Sequence, residues 1–171
     1  EMEDGTQIAY IVQAVNQNVF KNAREVMDNI EKVTDHLKKK ISDPRGVLTL
    51  VPTYNGNSYY VDKENALWRV YLFVEDSMCF DIPEKTEDFY ECGVAFGRFQ
   101  RDLTDFPAEE LFEVIPKFHD TVKRYNDFLK AVEEDKVGRA ASVKEEIAFI
   151  KERADFYGVL ADANKRGELP I

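Results

Sequence analysis

The spacing of apolar residues changes once along this chain, and that change limits what it can fold into. Up to Asp76 the apolar residues fall mostly in short runs suited to strands, with one helical stripe among them. After Pro83 they recur every three to four residues until the chain ends. The sharpest local signal lies in the first part. Asn55-Gly56 separates GVLTLVPTY from SYYVD, and an Asn-Gly pair between strand-like runs predicts a tight hairpin. Lys63-Glu64-Asn65 predicts a second turn before ALWRVYLFVED. Pro52 belongs at a strand end or bulge, because it cannot donate to a ladder.

Ahead of these runs, Ile8 to Val15 is short, apolar and β-branched, and predicts a buried strand. Asn22 with Glu25 has the spacing of a capping box. Val26, Ile30, Val33, Leu37 and Ile41 then predict one helical stripe, with Lys38, Lys39 and Lys40 in the last turn and Ser42 to Gly46 ending it.

In the second part, Thr86 reads as a cap, and Phe89, Cys92, Phe96, Phe99 and Leu103 form a stripe. Pro107 opens a short helix near 107–114. Asp120 caps a helix bearing Tyr125, Phe128, Leu129 and Val132. Ser142 with Glu145 is a second capping box, opening a helix with Val143, Ile147, Ile150, Ala154 and Tyr157. Gly167 ends the pattern shortly before Pro170. The order β, α, βββ and then about four helices predicts an α+β chain. Residues 1–80 form a sheet-containing portion and 81–171 a helical one, joined near 75–84.

With 33 acidic against 23 basic residues, the formal charge is −10, which argues against nucleic acid and against an anionic membrane surface. No run of about 18 apolar residues could span a bilayer. The first ten residues resemble neither a signal nor a transit peptide, so a cytoplasmic location is expected. Cys79 and Cys92 are too few for a disulfide framework and lack metal spacing; Cys92 falls on an apolar stripe and reads as core. His36 and His119 have no Cys/His cluster near them, and the Glu133-Glu134-Asp135 patch lacks the EF-hand pattern. Glycine-rich phosphate loops are absent, since Gly93 and Gly97 lie inside a helical stripe. Residue chemistry alone supplies no catalytic motif.

Four stretches point further: YIVQAVNQNVFKNAREVMDNIEKVTDHL, WRVYLFVEDSMCFD, GVAFGRFQRDLTDFPAEELFEVIPKFHDT and the ending RGELPI. Together they resemble the N-acetylhexosamine 1-kinase branch of the aminoglycoside phosphotransferase and choline kinase superfamily, along essentially the whole chain. The resemblance implies a protein-kinase-like N-lobe followed by the first helices of a helical C-lobe. It implies phosphate transfer from ATP, with magnesium, to the anomeric hydroxyl of an N-acetylhexosamine. In such relatives a glycine-containing nucleotide loop precedes the YIVQAVN strand, and the catalytic loop and metal-binding Asp follow the GELP segment. The chain therefore reads as a fragment, inactive alone and binding no ATP or magnesium by itself, with its catalytic residues expected beyond residue 171.

The strand position that holds a phosphate-binding Lys or Arg in many kinase-like relatives falls at Gln13 or Ala14, and neither side chain can neutralise phosphate. The adenine-facing link falls at Leu72, Phe73, Val74 and Glu75, where backbone groups would do the reading. Glu25 and Glu31 are conceivable partners for a phosphate-binding cation. Some related sequences carry a mucin desulfatase label, but CFDIP and CGVAF do not match the Cys-x-Pro-x-Arg run of sulfatases. A kinase-derived protein-binding module, or a kinase of an aminoglycoside, choline or homoserine, is the alternative. Exposed apolar faces around Phe89, Phe96, Phe128 and Ile150 predict self-association.

Overall fold

The computed structural model describes residues 7–83 and 85–169, with Pro170 outside that set. The chain is α+β. The described residues form three strands in one antiparallel sheet and five α-helices, with short 3-10 turns between helices. They divide into two compact units, one running up to Val114 and one from Ile115 onward.

The first unit is built on the sheet. Strands β1 (Tyr10–Ala14), β2 (Tyr60–Val61) and β3 (Leu67–Leu72) stand in the order β1-β3-β2. Tyr10 pairs with Leu72, Gln13 with Arg69 and Ala14 with Trp68, while Tyr60 pairs with Trp68 on the other side of β3. Helix α1 (Ala23–Lys38) lies between β1 and β2 in the chain. Its Ala23 and Met27 join Leu67 in the buried core, with Val15, Ile30, Leu50, Tyr59 and Val61 packed around them.

A turn forms at both predicted places, but the first closes no hairpin: among the described residues GVLTLVPTY does not pair with SYYVD, and Leu50 and β2 each pair with β3 instead. Gly56 adopts a left-handed φ of 80°, and Gly56 N–H and the Asn57 carbonyl both bond to Thr53, at 2.9 and 2.8 Å. In the second turn, Asp62 Oδ1 accepts from the N–H groups of Glu64 and Ala66, while Oδ2 accepts from the Trp68 indole at 2.8 Å. Asn65 takes the positive φ there, a conformation asparagine tolerates.

Several expectations need correction. The first strand is not buried: among the described residues β1 is an edge strand whose Val12 is 64% exposed, so its apolar character does not report core placement. GVLTLVPTY contributes no full strand. Only Leu50 bridges to Tyr71, although Val51 N–H reaches Val70 O and Leu72 N–H reaches Thr49 O. Pro52 follows directly and stops the ladder. Helix α1 buries Ala23, Met27, Thr34 and Leu37 rather than the anticipated stripe; of the anticipated positions, Leu37 alone is buried. Asn22 occupies the N-cap position without a side-chain cap bond, and the helix ends at Lys38, one residue before the second lysine of the triplet.

Helix α2 (Thr86–Asp102) begins at Thr86, so Lys85 takes the cap position and Thr86 does not cap. None of its residues is buried, and Cys92 is exposed. The apolar stripe exists in the sequence, but none of its residues is buried. After Pro107 only a 3-10 turn forms, Ala108–Glu110.

The second unit comprises helices α3 (Thr121–Glu134), α4 (Lys144–Lys151) and α5 (Val159–Lys165). Asp120 caps α3 as expected, its Oδ1 accepting from Lys123 N–H at 2.8 Å. Tyr125 stacks on Tyr157 at 4.7 Å. The second capping box does not form: Ser142 donates to Arg139 O inside a 3-10 turn, and Val143 takes the cap position. The long helix expected after it breaks at Lys151, passes through a 3-10 turn at Ala154–Phe156, and resumes as α5. Gly167, at φ 71°, closes α5 two residues past its end.

Candidate functional site

Strand β3 leaves the sheet at Leu72 and runs directly into Phe73, Val74 and Glu75. Leu72 to Asp76 line a cavity of about 350 Å³ together with Ile8, Ala9, Arg45, Val47 and Thr49. Much of the backbone here is already committed. Phe73 N–H donates to Ala9 O at 3.0 Å, and Val74 O accepts from Ser77 Oγ at 2.7 Å. Arg45 Nη2 donates to Glu75 O at 2.9 Å and reaches Asp76 O at 3.4 Å, tying the link to the loop that follows α1. Phe73 C=O and Val74 N–H take no such bond among the described residues.

Gln13 is not in that cavity. Its partner is Arg69, opposite it in the β1–β3 register, whose Nε and Nη2 both donate to Gln13 Oε1, at 2.9 and 2.6 Å. Side chains alternate along a strand, and Leu67 and Val15 pack toward α1, so Gln13 and Arg69 project from that same face. Glu25 and Glu31 line a different cavity of about 500 Å³, together with Asp28, Tyr59 and Phe112. Asp28 is paired there with Lys32 at 3.0 Å.

No protein-family model matches the chain.

A second polar constellation is absent from any reading of the sequence. Asn29, Lys32, His36 and Lys40 recur at three- and four-residue spacing from α1 into the turn after it. All four grip the segment that follows α2. Asn29 bonds the Phe112 backbone in both directions, Nδ2 to the carbonyl at 2.8 Å and Oδ1 from the N–H at 2.9 Å. Lys32 donates to Glu110 O at 2.9 Å and sits over the Phe112 ring. His36 Nε2 lies 3.0 Å from Asp105 Oδ1, Lys40 Nζ bonds the same oxygen, and the His36 ring meets Phe106 edge-on. The Lys40 ammonium, reinforced by His36, holds the Asp105 carboxyl below the usual aspartate range. This cluster anchors backbone; it brackets no open space. The polar stripe of α1 was its only signal in the sequence, because the partners lie 62 to 83 residues away.

Among the described residues no group of three His, Cys, Asp or Glu side chains could hold a metal ion, and no helix is long and apolar enough to cross a membrane.

Proposed function

We propose that this chain is the N-terminal part of a sugar kinase that moves phosphate from ATP to the anomeric hydroxyl of an N-acetylhexosamine, inactive without the remainder of the enzyme. The observation that carries the reading is the path of β3. It is the central strand of an antiparallel sheet braced by α1, and it runs straight into the Leu72–Glu75 link beside a cavity. In the kinase-like N-lobe that the sequence resembles, this link reads adenine through its backbone. Phe73 C=O and Val74 N–H are the groups available to do so, one acceptor beside one donor.

The carbonyl of Phe73 and the N–H of Val74 suit the adenine end of ATP. ATP and magnesium would supply the phosphoryl group and the charge neutralisation that its transfer requires. The reading assigns the metal ligands and the aspartate that orients the sugar hydroxyl to the stretch beyond Ile171. It places the enzyme in the cytoplasm, where ATP is available. Nucleic acid and membrane partners do not suit a chain of charge −10.

The test is ADP release by the complete protein that carries this chain, with N-acetylglucosamine and N-acetylgalactosamine as acceptors, beside the 171-residue chain alone. Sugar-dependent release by the complete protein and none by the chain is expected. Release only with choline, homoserine or an aminoglycoside would move the acceptor within the superfamily, and no release with any acceptor would sink the reading in favour of a binding module.

A further inference from the structure

Arg69 is a partly buried cation that meets no carboxylate among the described residues. It sits in the middle of β3, partly buried, on the sheet face that carries α1. Two of its donors converge on one neutral amide oxygen, Gln13 Oε1, and the Tyr71 ring lies 5.8 Å away. No carboxylate among the described residues lies within ion-pair distance of it, although acidic residues outnumber basic ones by ten over the chain. A partly buried guanidinium that meets no carboxylate among the described residues is open to an anion from outside.

Its position says which anion. Arg69 is three residues before Leu72 on the same strand, about 10 Å at the usual strand rise. That matches the span from a purine to the terminal phosphates of an extended nucleotide. The planar guanidinium, with a fork of donors, suits a phosphate better than an ammonium would. We propose that Arg69 contacts the polyphosphate of the nucleotide, bringing across the ladder the positive charge that Gln13 lacks. Gln13 holds the guanidinium edge through Oε1 and acts as a positioning residue. The assignment rests on the phosphotransferase reading for the nucleotide itself, and on the Gln13–Arg69 geometry for the residue.

The experiment titrates ATP, adenosine and inorganic tripolyphosphate separately into the complete protein by calorimetry. Wild type is compared with Arg69→Gln, Arg69→Lys and the double variant Arg69→Gln/Gln13→Lys. Arg69→Gln is expected to weaken ATP and tripolyphosphate at least about tenfold while adenosine is unchanged. Arg69→Lys should fall between, and the double variant should regain most of the loss, which a merely structural role for Arg69 would not produce. ATP affinity unchanged in Arg69→Gln, or lost equally with adenosine, overturns the assignment. Tripolyphosphate binding that depends on Arg69 in a protein blind to adenosine supports Arg69 as the phosphate contact and defeats the phosphotransferase reading instead. A wild-type protein that binds none of the three defeats both.

Discussion

Asp62 ties together three groups of the first unit. One carboxylate oxygen closes the Lys63–Asn65 turn by accepting two backbone N–H groups, and the other accepts the indole N–H of Trp68. The indole bond is the largest cause of a lowered Asp62 pKa, followed by the Ala66 N–H. The sign of the pH effect follows. A carboxyl whose folded pKa lies below its unfolded value stabilises the fold above the unfolded value, and that contribution fades as pH falls through the folded one. Trp68 is the only tryptophan, so its fluorescence reads the transition directly. Its emission is expected to titrate in acid with a midpoint below that of an ordinary aspartate, and Asp62→Ala should abolish the step and lower the urea midpoint at neutral pH. An unchanged acid titration in the variant would show that another group is responsible. The asparagine at the end of the same turn was legible in the sequence. The reach of Asp62 to Trp68 was not, because it depends on β2 and β3 lying side by side.

At the scale of elements, α1 ties the first unit together with two faces of different chemistry. One face carries Met27, fully buried at 0% exposure, into a core with Ala23 and Leu67. The other carries Asn29, Lys32 and His36, continued by Lys40, against the Asp102–Phe112 segment. Because the core is small, each member counts. Met27→Ala removes most of a buried side chain where little can collapse to replace it, and should cost about 2–5 kcal/mol. Urea unfolding of the chain, followed through Trp68, measures this; a loss well under 1 kcal/mol would mean the α1–sheet contact is not a core. The sequence predicted the helix but misplaced its inner stripe. Ile30 and Leu37 belong to both the predicted and the observed pattern, whereas Met27 and Thr34 replaced Val26 and Val33 by a rotation of one residue. Several apolar stripes fit a helix this rich in hydrophobic side chains, and only the sheet it meets selects one.

Over the whole molecule, apolar side chains are exposed well beyond the sheet. Phe89 and Phe96 of α2 are 63% and 65% exposed, and Val12 at the sheet edge is 64% exposed. Large apolar side chains left exposed along one helix face often meet a partner. Among the described residues β1 is an edge, and an edge strand can accept another strand. The 171-residue chain is therefore expected to self-associate in sedimentation velocity at tens of micromolar, and Phe89→Ser/Phe96→Ser should shift it toward monomer without changing its helical circular dichroism. A monomer at every concentration would remove the helical face from consideration.

Local chemistry was enough to determine the α+β class, the two turns at Asn55-Gly56 and Lys63–Asn65, the cap at Asp120 and the terminating Gly167. Each depends on residues within a few positions of one another, so the chain carries its own instruction for them. Tertiary structure alone decided that Tyr10–Ala14 is an edge among the described strands, that no residue of α2 is buried, that His36 and Lys40 meet Asp105, and that Gln13 faces Arg69. Those outcomes depend on which surfaces find a neighbour, and an apolar stripe records only that burial would be favourable, never what arrives to bury it.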